Sequence, residues 1–217
     1  MARLMLIFSP DLAQNQPALE SLRALLPHID VLQLRIKPKA TSGATPGSPS
    51  AEAPARETYD WTVRALELCK DLETPPLVIV NDRVDVALAL SDQGVDGVHL
   101  GAGDFPVEAA RRLLGPDMLI GLSTHNVQQV VMAAESGADY VGFGPIFATD
   151  TKGYSKCVGP EAAWIASVGS SLPLFPIGGI DATNIQSLAE VGRAAVASAL
   201  LNAEDPARAA QDMASVF

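Results

Sequence analysis

Three short stretches carry side chains suited to holding a phosphorylated ligand. In VLQLRIK, Gln33, Arg35 and Lys37 alternate with apolar residues. A spacing of two places all three on one face of an extended segment. In LVIVNDRVDVAL, four apolar residues run directly into Asn81, Asp82 and Arg83. In GVHLGAGD, Asp104 stands just past a short apolar run. Two carboxylates sharing a site repel each other unless a proton or cation lies between them. Their hard oxygens suit Mg2+, which keeps waters and completes its shell from substrate phosphates. Arg35, Lys37 and Lys152 are cations able to hold phosphate oxygens. GLSTH adds Ser123, Thr124 and His125, and VGFGPIFATDTK adds Thr149, Thr151 and Lys152. Gly178-Gly179-Ile180 and Ser198 complete the set.

Each of these has an ordinary explanation when taken singly. Asp82 could cap the following helix, and His125 could sit near a helix N-terminus. Arg83 could assist a diphosphate or cover the start of a helix. Gly178-Gly179 could be a tight turn. Their shared position argues otherwise, because every one follows an apolar run.

Those runs are the strands that must position the chemistry. Strand candidates are Leu4–Phe8, Val31–Arg35, Leu77–Asn81, Gly97–Leu100, Leu119–Ser123, Tyr140–Gly144, Leu174–Gly178 and Ala194–Ser198. They are nearly continuously apolar, as parallel strands covered on both faces should be. Helical periodicity predicts helices near Ala18–Leu26, Thr58–Cys69, Val84–Leu90, Val107–Leu114, Val127–Glu135, Pro160–Val168, Asn184–Val191 and Pro206–Val216. Eight strand–helix units predict an α/β fold, a (β/α)8 TIM barrel, over residues 1–217 as one domain. An open doubly wound sheet is the alternative, but no GxGxxG follows the first strand. In a barrel the C-terminal strand ends form one mouth, which gathers the polar residues of seven consecutive strands. The last two strand ends are where such barrels often hold a phosphate on backbone N–H groups. The pattern describes a site for a diphosphate with Mg2+ and a separate monophosphate.

Residues 38–57, PKATSGATPGSPSAEAPARE, break the rhythm. This composition predicts a loop, either a tolerated surface insertion or a lid over the mouth.

The net charge of -10 argues against nonspecific binding of nucleic acid or an anionic membrane. It leaves room for a locally built phosphate site. No apolar run approaches the roughly 20 residues that cross a bilayer. The N-terminal MARLMLIFSPDL reads as a first strand rather than a signal peptide. Two cysteines, Cys69 and Cys157, do not make a disulfide framework, so a reducing cytoplasm is the expected setting. Small molecules are the expected partners, and a homo-oligomer is compatible with the chain.

QLRIK, NDRVDVALAL, DGVHLG with Asp104, GLSTH, GADYVGFGPIFATDTK, PIGGI and AEDPARAA together resemble the thiamine-phosphate synthase family, in order and over about residues 4–213. The resemblance implies a transferase of thiamine biosynthesis. It joins 4-amino-2-methyl-5-hydroxymethylpyrimidine diphosphate to a thiazole phosphate, giving thiamine monophosphate and pyrophosphate. It further implies that Gln33, Arg35, Lys37, Asn81 and Lys152 contact the pyrimidine diphosphate. By the same likeness Asp82 and Asp104 bind Mg2+, and Ser123 lines the pyrimidine pocket. Thr149, Thr151, Gly179 and Ser198 face the thiazole phosphate. Arg35, Lys152 and Ser123 are then the expected catalytic groups. The implied substitution is dissociative, with the cations stabilising departing pyrophosphate.

Three features depart from the family pattern, one of them the longer, low-complexity loop after QLRIK. Ala102 and Gly103 precede Asp104, where the family has Gln and an acidic residue. The eighth strand region, EVGRAAVASAL, is about two residues shorter than the family's Gly-Ala-x-Gly-Val run. Two rival functions share the barrel: a thiazole tautomerase, in which His125 could transfer protons, and a non-catalytic phosphate-binding protein. A tautomerase has no use for Gln33, Arg35, Lys37 and the Asn81-Asp82 pair, and that favours the synthase.

Overall fold

Alternation along the strands divides the buried apolar residues between two cores. The computed structural model describes residues 2–37, 54–148 and 157–217. Its strands are β1 (Leu4–Phe8), β2 (Val31–Leu34), β3 (Leu77–Asn81), β4 (Gly97–Leu100), β5 (Leu119–Thr124), β6 (Tyr140–Phe143), β7 (Leu174–Pro176) and β8 (Ala194–Val196). They form one parallel sheet ordered β7-β6-β5-β4-β3-β2-β1-β8. A single bridge from Ile177 to Ala195 completes the ring between β7 and β8. This is the expected (β/α)8 barrel.

Met5, Ile7, Val31, Ile79, Tyr140, Phe175 and Ala195 fill the barrel interior. The residues between them, such as Leu4, Leu6, Phe8, Leu32 and Leu34, pack outward against the helices. Both faces of each strand are therefore buried, which is why the sequence runs are continuously apolar. The helices are α1 (Ala18–Leu25), α2 (Ala55–Cys69), α3 (Val84–Ala89), α4 (Val107–Leu114), α5 (Val127–Glu135), α6 (Gly159–Val168), α7 (Ser198–Leu201) and α8 (Pro206–Ala214). None is long and apolar enough to cross a membrane among the described residues. Cys69 is buried, Cys157 is exposed, and the two are not joined.

Three expectations are corrected. The loop assigned to 38–57 ends earlier, because Ala55, Arg56 and Glu57 already belong to α2. Arg56 pairs with Asp60 one turn on, which supports the helix start. The rest of that loop, residues 38–53, lies outside the described residues. The seventh helix is only a 3-10 segment, Ile185–Leu188. Asn184 turns its side chain back onto Gly179 O and Asp181 N, so the segment tightens around the β7 exit instead of propagating as an α-helix. Finally, β8 stops at Val196, and Ser198 opens the short α7 rather than ending the strand.

Candidate active site

The mouth of the barrel holds a cavity of about 560 Å³. Gln33, Arg35, Asn81 and His99 line it from β2, β3 and β4; Ser123, Thr124 and His125 line it from β5. Gly178, Gly179 and Ser198 line it from the β7 and β8 ends. Gln33 and Asn81 are 3% and 7% exposed, so both are polar groups built into the interior. Arg35 sits just past β2. Burial pushes its pKa down, while the nearby carboxylates of Asp82 and Asp11 oppose that shift. A guanidinium so placed is desolvated but electrostatically matched, and it remains charged.

Asp82 has a backbone conformation unusual for a residue with a side chain, with φ of 64°. Its N–H donates to His99 O at 2.9 Å, and Arg83 N–H donates to Asn81 O at 2.8 Å. The chain therefore turns sharply as it leaves β3. Asp82 does not cap α3: Arg83 is the cap residue, and no side chain makes a capping bond. Instead Lys37 Nζ donates to Asp82 Oδ2 at 2.6 Å. Arg83 makes a fork on Asp85, with Nε 2.8 Å from Oδ1. That pair holds the Asp85 carboxyl below its ordinary range.

Asp104 accepts the Gly101 N–H at 2.7 Å. Its carboxyl is pushed up, first by partial burial and then by the neighbouring Asp82 charge, against the pull of Gly101 N–H and Lys37. The two carboxylates are thus brought together at one place. Among the described residues, no group of three or more His, Cys, Asp or Glu converges on a point. Two adjacent, mutually repelling carboxylates fit a hard cation that takes its other ligands from water and phosphate.

Opposite them, Gly178 and Gly179 adopt φ of 99° and 65°. A Cβ on Gly179 would stand 2.5 Å from Ala148 O, and one on Gly178 would stand 2.8 Å from Pro145 Cβ. Conformation and packing both require glycine here. The backbone is left open to the cavity beside Ser198 and Asn202. His125 is tethered, with Nδ1 2.6 Å from Gly144 O. Asn126 caps α5 by accepting Gln129 N–H. Thr149, Thr151 and Lys152 lie outside the described residues.

Sequence reasoning missed a buried polar network. His99 Nδ1 is 3.1 Å from Tyr140 Oη, and His99 Nε2 is 3.0 Å from Ser123 Oγ. The available signal was glycine at interior positions of adjacent strands. Gly121 pairs in register with both His99 and Tyr140. A Cβ there would lie 2.2 Å from Tyr140 Cζ and 2.4 Å from His99 Nδ1.

Comparison with known proteins agrees with this architecture. A thiamine phosphate pyrophosphorylase from Pyrococcus furiosus superposes with a TM-score of 0.78 at 29% identity, over 99% of this chain and 95% of that one. A thiamine-phosphate synthase of Chlorobium luteolum is 46% identical over 169 residues, 76% of this chain and 77% of that protein. A thiamine-phosphate synthase of Synechocystis sp. is 45% identical over 145 residues, 66% of this chain. That match spans only 41% of the Synechocystis protein, so the chain covers less than half of that relative's length. The model of the family described as thiamine monophosphate synthase matches residues 4–200. With the ends of β2, β3, β4 and β7 delivering an acidic pair, two cations and a glycine turn to one mouth, the chain belongs to the thiamine monophosphate synthase family.

Proposed function

We propose that this chain condenses 4-amino-2-methyl-5-hydroxymethylpyrimidine diphosphate with thiazole phosphate, releasing thiamine monophosphate and pyrophosphate. The observation that carries the reading is the sorting of charge around the mouth. Arg35, Lys37, Asp82 and Asp104 gather beside β2, β3 and β4, and the Gly178-Gly179 turn faces Ser198 across the β7 and β8 ends. A diphosphate needs the first arc, and a monophosphate held on backbone N–H groups fits the second.

Asp82 and Asp104 would hold Mg2+, which when bound would neutralise diphosphate charge. Arg35 stabilises the negative charge that builds on the leaving pyrophosphate as the methylene C–O bond breaks. Lys37, paired with Asp82, stands beside the same oxygens. Gln33, Asn81 and Ser123 hold the pyrimidine. Gly179 and Ser198, with Thr149 and Thr151, hold the thiazole phosphate, and Lys152 adds a further cation on the diphosphate. The thiazole nitrogen then forms the new bond to the methylene carbon. Little proton transfer is required, so the walls act by positioning and charge.

The test is turnover. Incubation with both substrates and Mg2+ should give thiamine phosphate and pyrophosphate in equal amounts. Isomerisation of a thiazole carboxylate phosphate without coupling would replace this reading with a tautomerase.

A further inference from the structure

We propose that Tyr140 and His99 are positioning residues that force the Ser123 hydroxyl to donate its proton into the cavity, through a one-way hydrogen-bond chain Tyr140 to His99 to Ser123. The chain crosses the barrel interior from β6 through β4 to β5. Its spacings are hydrogen-bonded, at 3.1 Å between Tyr140 and His99 and 3.0 Å between His99 and Ser123. It exists because Gly121 stands between His99 and Tyr140 in register and contributes no side chain.

Direction follows from donor counting. Complete burial pushes the phenol pKa far up, so Tyr140 keeps its proton. A buried O–H needs an acceptor, and His99 Nδ1 is within reach. An imidazole accepting at Nδ1 carries its proton at Nε2, which donates to Ser123 Oγ. Ser123 then accepts from inside the wall, and its own O–H is directed into the cavity that it lines. The reverse polarity would leave Ser123 presenting only lone pairs. This deepens, and rests on, the assignment of a pyrimidine diphosphate to the cavity: its ring nitrogens and phosphate oxygens are acceptors.

Two measurements separate this inference from that assignment. Long-range 1H–15N spectra of the intact, ligand-free protein read the His99 tautomer directly. The neutral Nε2–H form is expected, and the Nδ1–H form would overturn the chain whatever the enzyme does. Tyr140→Phe keeps the ring packed edge-on against Phe175, whose centroid is 5.9 Å away. In this variant the His99 resonances should shift to a mixture of tautomers. In turnover assays kcat/KM for the pyrimidine diphosphate should fall about tenfold, the scale of one misdirected buried hydrogen bond, with KM for thiazole phosphate unchanged. An unchanged tautomer in Tyr140→Phe, or equal losses for both substrates, would overturn the positioning role. A wild-type protein with Nε2–H His99 and no turnover would overturn the assigned reaction while supporting the chain.

Discussion

Aspartate serves both ends of this barrel, to opposite effect. At the N-terminal end, Asp30, Asp96 and Asp139 each stand immediately before an even-numbered strand. Each turns a carboxylate back onto the start of the preceding strand: Asp30 accepts Leu4 N–H at 2.9 Å, Asp96 accepts Val78 N–H at 2.7 Å and Asp139 accepts Ile120 N–H at 2.7 Å. The main chain returns the bond each time, with Asp30, Asp96 and Asp139 N–H donating to the carbonyls of Leu4, Val78 and Ile120. Each strand pair is bolted where it begins. Before β8 the corresponding residue is Arg193, which donates to Ala2 O ahead of β1 and so ties β8 to β1. At the mouth, Asp82 and Asp104 face each other and a lysine, and Asp104 is pushed up partly by its neighbour's charge. A carboxylate satisfied by backbone amides stabilises a fold; a pair held in mutual repulsion is poised for a ligand.

The contrast is sharpest at Asp82. Asp82→Asn should keep the fold, since Asn tolerates the left-handed backbone that Asp82 adopts with φ of 64°. Turnover should fall roughly a thousandfold, the scale of removing one preorganised charge-stabilising group. Steady-state kinetics beside circular dichroism tests this. A variant with near-normal turnover and lowered stability would turn Asp82 into another bolt. Asp139→Ala should behave the other way round. It strands Ile120 N–H and releases Arg111, which otherwise ties Asp139 to the carbonyls of Gly115 and Met118. Stability should drop by about 2–3 kcal/mol in urea unfolding, with kcat and KM unchanged.

How these ends became visible differs. The mouth was legible because parallel barrel strands are apolar along their length, so Gln33, Arg35, Asn81, Asp82 and Ser123 stood out at the ends. The bolts were not, because an Asp before a strand reads as an ordinary turn residue. Their repeat emerges only with the strand register. The His99–Tyr140 pair was hidden for a related reason. Tyr140 opens an apolar run, and nothing local says that it meets a histidine from β4 beside a gap left by Gly121. Contacts across a barrel interior join residues far apart in sequence, and local periodicity carries no such information. The helix after β7 was misread because the Asn184 side chain, spent on Gly179 and Asp181, does not alter the apolar pattern of Ile185 and Leu188.

Asp104 supplies the smallest test, because a cation site and a structural bolt answer Mg2+ differently. Its folded pKa is raised above the ordinary carboxylate value, so the folded state holds its proton more tightly than the unfolded chain does. That contribution to stability is present below the ordinary value and is lost as pH rises through the raised one. At neutral pH the charge on Asp104 therefore opposes folding. Water screens this partly exposed group, which limits the cost to under about 1 kcal/mol. Asp104→Asn, still able to accept Gly101 N–H, should be slightly more stable than the parent at neutral pH in EDTA and no more stable at acidic pH. Adding Mg2+ should reverse the order, since a cation that binds only the folded state stabilises it by mass action. Thermal unfolding across pH, with and without Mg2+, reads both signs. If Asp104→Asn is less stable in EDTA at neutral pH, the carboxylate at the mouth is held for structure, as Asp139 is.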